Sequence, residues 1–104
     1  MIKVTINYQD NIVTELEVSG HSNFAKKGKD IVCAGVSAIV IGGINAITSL
    51  AGEKSINYEV KDGYTKLTNI NDSKVQEIIK VVIIQLKTVE DSYSKFIKIV
   101  ESYQ

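Results

Sequence analysis

The chain has 104 residues and a mass of 11.4 kDa, the size of one ordinary domain with room for a single core. Lysine plus arginine and aspartate plus glutamate each total 12, a balance that lacks the field by which nucleic-acid and anionic-membrane binders capture their partners. With one cysteine and one histidine, an internal disulfide is impossible, and a Cys/His zinc site would need most ligands from carboxylates or another subunit, so no metal or other cofactor is expected.

The first ten residues alternate polar and apolar side chains and lack the apolar block and cleavage site of a signal peptide, so a cytoplasmic protein is expected. Ile2, Val4, Ile6 and Tyr8 alternate with Lys3, Thr5 and Asn7, the period of a half-buried strand. After the polar turn Gln9 to Asn11, Ile12 to Val18 repeats the alternation, with Thr14 and Leu16 on one face and Glu15 and Glu17 on the other. These two strands pair as a hairpin. From Ser19 to Lys29 apolar periodicity stops, and Lys26, Lys27 and Lys29 make an exposed basic loop bracketed by Gly20 and Gly28.

No residue from Ile31 to Ala51 is charged, and hydropathy alone would make this a membrane span. Gly35, Gly42, Gly43, Ser37, Asn45, Thr48 and Ser49 interrupt the run and interface aromatics are missing, so it reads instead as the central helix of a small domain. Asp30 is placed to cap it and Gly52 to end it, and its three glycines suggest close backbone packing. Ile56 to Lys61 and Tyr64 to Ile70 predict a second hairpin, in which Asp62-Gly63 supplies two positive-φ positions. Ser73 to Gln76 fits a capping box, and Val75, Ile78, Ile79, Val82, Leu86 and Val89 share one face of an amphipathic second helix. Phe96 to Val100 adds a short closing strand. The expected fold is a single α+β domain over residues 1–104, order ββαββα(β), with two hairpins in a sheet packed against both helices.

The chemistry of the chain converges on its one histidine and one cysteine, since imidazole is the commonest general base and thiolate the strongest nucleophile. If Asp30 is the N-cap, Cys33 is the third helical residue and lies among the unpaired N–H groups of the first turn, an environment that favours thiolate. A loop of this length can fold back and bring His21 to it. Each residue also has a plainer reading: Cys33 as a small core residue, His21 and the lysines as solvated loop, Asp30 as a cap only, and Ser37 as a back-bonded helical serine. Spacing alone leaves both readings open.

The stretch Gly20-His21, then a loop ending in Lys29, then Asp30-Ile31-Val32-Cys33-Ala34-Gly35-Val36-Ser37-Ala38, resembles the signature of the ribosomal-processing cysteine proteases of the Prp family. Asn45-Ala46 late in the first helix and an amphipathic second helix with a short tail extend the likeness over the whole chain. The resemblance implies a catalytic pair of His21 and Cys33, a homodimer, and, as substrate, the N-terminal extension of bacterial large-subunit ribosomal protein twenty-seven, cut after paired aromatic residues. Phe24 departs from it, standing where many members carry tyrosine or another polar-tipped residue, which puts only the contacts of that loop in doubt.

On this reading Cys33 attacks the scissile carbonyl, first-turn N–H groups hold the oxyanion, and His21 protonates the leaving amine. Asp30 and Ser37 support the pair, Gly20 and Gly28 hinge the loop as a lid, and Phe24, Lys26 and Lys27 are candidates for substrate contact. Gly20→Ala should then slow cleavage while leaving the fold unchanged. No Asp or Asn is placed by sequence to orient the far nitrogen of His21, so a dyad is expected. The rivals are a non-catalytic ribosome-associated protein-binding module, with Cys33 as core packing, and a thiol redox sensor that would need a partner thiol. Neither nucleic acid nor membrane is an expected partner.

Overall fold

The computed structural model describes residues 1–26 and 28–104; Lys27 lies outside the described residues. The elements run β1 (Ile2–Gln9), β2 (Ile12–Ser19), α1 (Ile31–Ala51), β3 (Asn57–Lys61), β4 (Tyr64–Thr68), α2 (Ser73–Ser92) and β5 (Ile97–Tyr103). One five-stranded sheet has the order β3-β4-β2-β1-β5. All its pairings are antiparallel except β1 with β5, which is parallel because the chain returns from β4 through α2. Buried residues of β1, β2, β4, β5, α1 and α2 form a single hydrophobic cluster between the sheet and the helices, the α+β architecture expected from the sequence.

Four local details differ from the sequence reading. The register slips between Asn7 and Tyr8, so Val13 and Leu16 are buried while Thr14 points outward and donates to the Asn7 carbonyl. Thr14 therefore stands off the core face, displaced by a bulge that a strict period of two does not register. The turn with two positive φ angles is the first one, Asp10-Asn11 (52° and 65°); in Asp62-Gly63 only Gly63 is positive, at 69°. Helix α2 is capped by Asp72, which accepts from the N–H groups of Lys74 and Val75, so Ser73 is the first helical residue and no Ser73–Gln76 box forms. The Gln76 amide instead bonds both the N–H and the carbonyl of Val13, and the carbonyl of Ile70. It thereby completes the hydrogen bonding of β2 where β4 has ended.

Helix α1 buries one stripe, Val32, Val36, Val40, Gly43, Ile44 and Ile47, against the core. Of the three helical glycines only Gly43 meets a close neighbour: a Cβ there would stand 2.6 Å from Val82 Cγ2, so this residue lets α2 approach. Gly35 and Gly42 face open space. At the end of the sheet β5 exposes an edge, and Glu90 Oε2 accepts from the Ile99 N–H at 2.7 Å, occupying a donor that could otherwise pair with another strand.

Candidate active site

The site forms where β2 runs out. Gly20, at φ 90°, turns the chain away from the sheet while its N–H still donates to the Gly63 carbonyl at 2.9 Å, so the start of the loop is tied to the β3–β4 turn. A Cβ at Gly20 would lie 2.5 Å from the Met1 carbonyl oxygen. Substitution there disturbs the sheet margin as well as the loop, contrary to the expectation of an isolated hinge. Gly28, at φ 89°, has open space around it.

Asp30 caps α1 as the sequence predicts. Its Oδ1 accepts from the N–H groups of Val32 at 3.1 Å and Cys33 at 3.0 Å, and its Oδ2 accepts from the Ser22 hydroxyl. Burial pushes the Asp30 carboxyl up, but hydrogen bonds from the Cys33 N–H, the Ser22 hydroxyl and the Val32 N–H outweigh it and hold the carboxyl below its ordinary value. The cap has a chemical consequence. The Val32 and Cys33 N–H groups, expected to hold an oxyanion, are already bonded to Asp30 in this state.

Cys33 is half-buried in the first turn, with its sulfur facing the loop. Ser22 N–H donates to Sγ at 3.3 Å, and the thiol donates to Ser22 Oγ at 3.6 Å. Sequence reasoning missed Ser22, a loop serine beside the histidine, yet it is buried to 3% exposure and links Asp30, Cys33 and the Phe24 N–H. Ser37 lines the same cleft one turn along, but among the described residues it makes no hydrogen bond to Sγ.

His21 and Cys33 open onto one cleft of about 690 Å³, between the first half of α1, the loop and the β3–β4 hairpin. No hydrogen bond joins them among the described residues. The imidazole lies over Gly63, with Nε2 3.7 Å from Asp62 Oδ1, so a carboxylate does stand by this histidine, supplied from far along the chain. The cleft wall carries Asn23, Ala25 and Lys29 from the loop and Val60, Tyr64 and Thr65 from the hairpin. Two substrate-contact candidates are absent from the residues lining it. Phe24 packs edge-on against Tyr93 and Phe96, with ring centroids 5.8 and 5.1 Å away, and anchors the loop to the far end of α2. Lys26 lies off the wall, its carbonyl accepting from the Lys29 N–H, and Lys27 is outside the described residues.

Residues 1–98 match the family described as cysteine protease Prp. The chain is a member of that family of cysteine proteases. Among Prp proteins, the ribosomal processing cysteine protease of Staphylococcus aureus is 33% identical, with 94% of each chain covered, and that of Bacillus subtilis is 36% identical over 95% of this chain and 96% of its own. The crystal structure of S. aureus Prp with a covalently linked product peptide superimposes with a TM-score of 0.90 at 32% identity over the full length of both chains. The same protease with a substrate peptide gives 0.85 at 31% identity, covering 98% of this chain and 100% of that one. Membership in a protease family sets aside the non-catalytic module as the reading of the chain.

Proposed function

We propose that this Prp protease removes the N-terminal extension of bacterial large-subunit ribosomal protein twenty-seven, using Cys33 as nucleophile and His21 as general acid and base. The observation that carries the proposal is that His21 and Cys33 share one open cleft, with Ser22 linking the loop to the sulfur, in a chain whose S. aureus relative was crystallised with a covalently linked product peptide. In the first step His21 takes the Cys33 thiol proton, the sulfur bonds to the scissile carbonyl carbon, the C–N bond breaks, and His21 gives that proton to the departing amine. Water then adds to the thioester carbon, His21 takes its proton, the C–S bond breaks, and His21 returns the proton to the leaving sulfur, so that the acid and the thiol are released. The oxyanion falls to N–H groups other than those of Val32 and Cys33 unless Asp30 turns away. The loop flanked by Gly20 and Gly28 acts as a lid, with Gly28 as its freer hinge.

The protease works in the cytoplasm as a homodimer, without a nucleic-acid or membrane partner. Ala38, Ile39, Gly42, Ala46, Ile78 and Val81 line an apolar groove between α1 and α2, which supports a contact between copies there. Light scattering at high micromolar concentration should give twice the chain mass, and the monomer mass would overturn the dimer. For the reaction, peptides carrying the extension with its paired aromatics should be cut by wild type, not by Cys33→Ala, and about 10²-fold more slowly by His21→Ala. Cleavage surviving in Cys33→Ala would overturn the assignment.

A further inference from the structure

The β3–β4 turn is built around the histidine. Gly20 N–H bonds the Gly63 carbonyl, which places the next residue, His21, directly over the turn. A Cβ at Gly63 would stand 2.7 Å from His21 Cε1, 3.1 Å from Nε2 and 3.4 Å from Nδ1, so the ring occupies the space that any side chain at this position would need. Gly63 suits the turn on two counts: its φ of 69° is one that glycine and asparagine adopt readily, and a Cβ there would displace the imidazole above it. Asp62 Oδ1 then lies 3.7 Å from Nε2. Ser22, the next residue, has its N–H on Cys33 Sγ, so the backbone that carries the ring is already beside the sulfur.

We propose that Asp62-Gly63 is the positioning element of the His21–Cys33 pair: Gly63 gives the ring its place over the turn, and the Asp62 carboxylate, 3.7 Å from Nε2, draws that nitrogen toward itself by charge and so leaves Nδ1 to serve the sulfur. This rests on the catalytic reading above and extends it, because a pair that sequence presents as a dyad acquires its orienting group from the hairpin. A ring biased in this way presents one nitrogen for proton transfer in preference to the other, and part of its rotational freedom is removed before substrate arrives. The side chains of His21 and Asp62 are 58% and 82% exposed, so the charge contribution is screened and modest and the seat is the larger effect.

The test uses two readouts, alkylation of folded Cys33 by iodoacetamide and kcat and KM for peptide cleavage. At low salt, Asp62→Asn should lower kcat and the alkylation rate about threefold with KM unchanged, Asp62→Glu should recover most of the loss, and high salt should erase the difference. Gly63→Asn tolerates the positive φ but puts a Cβ under the ring, and should lower both rates on the order of tenfold. In a His21→Ala background Asp62→Asn should change neither rate. The proposal is overturned if Asp62→Asn acts equally with and without His21, or if both turn variants match wild type at low salt. Should Gly63→Asn not fold, the Asp62 variants still decide. If wild type leaves the ribosomal peptide uncut, the substrate assignment fails while alkylation still reports on the turn; if His21→Ala alkylates like wild type, the catalytic pair itself is wrong.

Discussion

Ser22 and Cys33, 11 positions apart, are joined through two atoms: the serine N–H points at the sulfur, and the thiol points at the serine hydroxyl. The same hydroxyl donates to Asp30 and accepts from the Phe24 N–H. One small side chain therefore ties Cys33, the helix cap and the aromatic anchor of the loop into one network. Ser22→Ala leaves Asp30 Oδ2 and the Phe24 N–H without this partner and empties a buried position, which destabilises the loop against the helix. The expected drop in melting temperature is several degrees for a domain of this size, read by calorimetry. An unchanged melting temperature would mean that water replaces the hydroxyl fully.

Acid stability follows from the cap. Because the folded carboxyl of Asp30 is held below its ordinary value of 3.8, its contribution is complete above that pH and is lost as pH falls through the lower folded value. Glu101 behaves likewise from 4.5 downward: hydrogen bonds from Lys87 first and Tyr8 next outweigh its burial. Asp30→Asn keeps an N-cap acceptor but removes the titration, so its urea midpoint should fall less steeply below about pH 4 than that of wild type. Parallel acid limbs would show that Asp30 adds nothing to the pH dependence.

The alkaline side has its own reporters. Tyr64, on the cleft wall, donates to Glu17 at 2.8 Å; that hydrogen bond, then burial and nearby glutamates, push its phenol up to about 12. Tyr8 is raised further, by burial first and then by its 2.6 Å bond to Glu101. For raised groups the stabilisation is complete below the ordinary value of 10.0 and disappears as pH rises through the folded one. Of the 5 tyrosines, these two should be the last to ionise in an absorbance titration, and Tyr64→Phe should remove one of the late steps. Ionisation of all of them together near pH 10 would contradict the two hydrogen bonds.

Much of the site was readable because it is local. Gly20, His21, Asp30 and Cys33 fall within one short stretch, and a cap followed by a thiol at the third helical position is a pattern of neighbours in sequence. The two strands of each hairpin and helix α2 follow from periodicity, and helix α1 from its uncharged run between Asp30 and Gly52. What sequence hid depends on residues that meet only after folding. Asp62 and Gly63 reach His21 because Ser19 pairs with Tyr64, a register fixed by the β2–β4 contact. Gln76 reads as half of a capping box, yet its amide finds Val13 across the sheet margin. Ser22 and Phe24 look like ordinary loop residues until the cap and the Tyr93–Phe96 pair give them partners.

The two loop glycines separate a structural requirement from a hinge. Both have positive φ, so alanine at either is strained by about 1–2 kcal/mol. At Gly20 the added Cβ also meets the Met1 carbonyl oxygen, a backbone atom that cannot move without shifting the start of β1. Gly20→Ala should therefore lower the melting temperature well beyond that strain, and lost cleavage in it would say little about loop motion. Gly28 has open space where its Cβ would go, so Gly28→Ala bears the backbone strain alone. If the loop swings to admit peptide, Gly28→Ala should slow cleavage on the order of tenfold while Cys33 alkylation by a small reagent stays near wild type, because only the bulky substrate needs the lid to move. Cleavage at the wild-type rate in Gly28→Ala would place the hinge elsewhere or show that peptide enters without it.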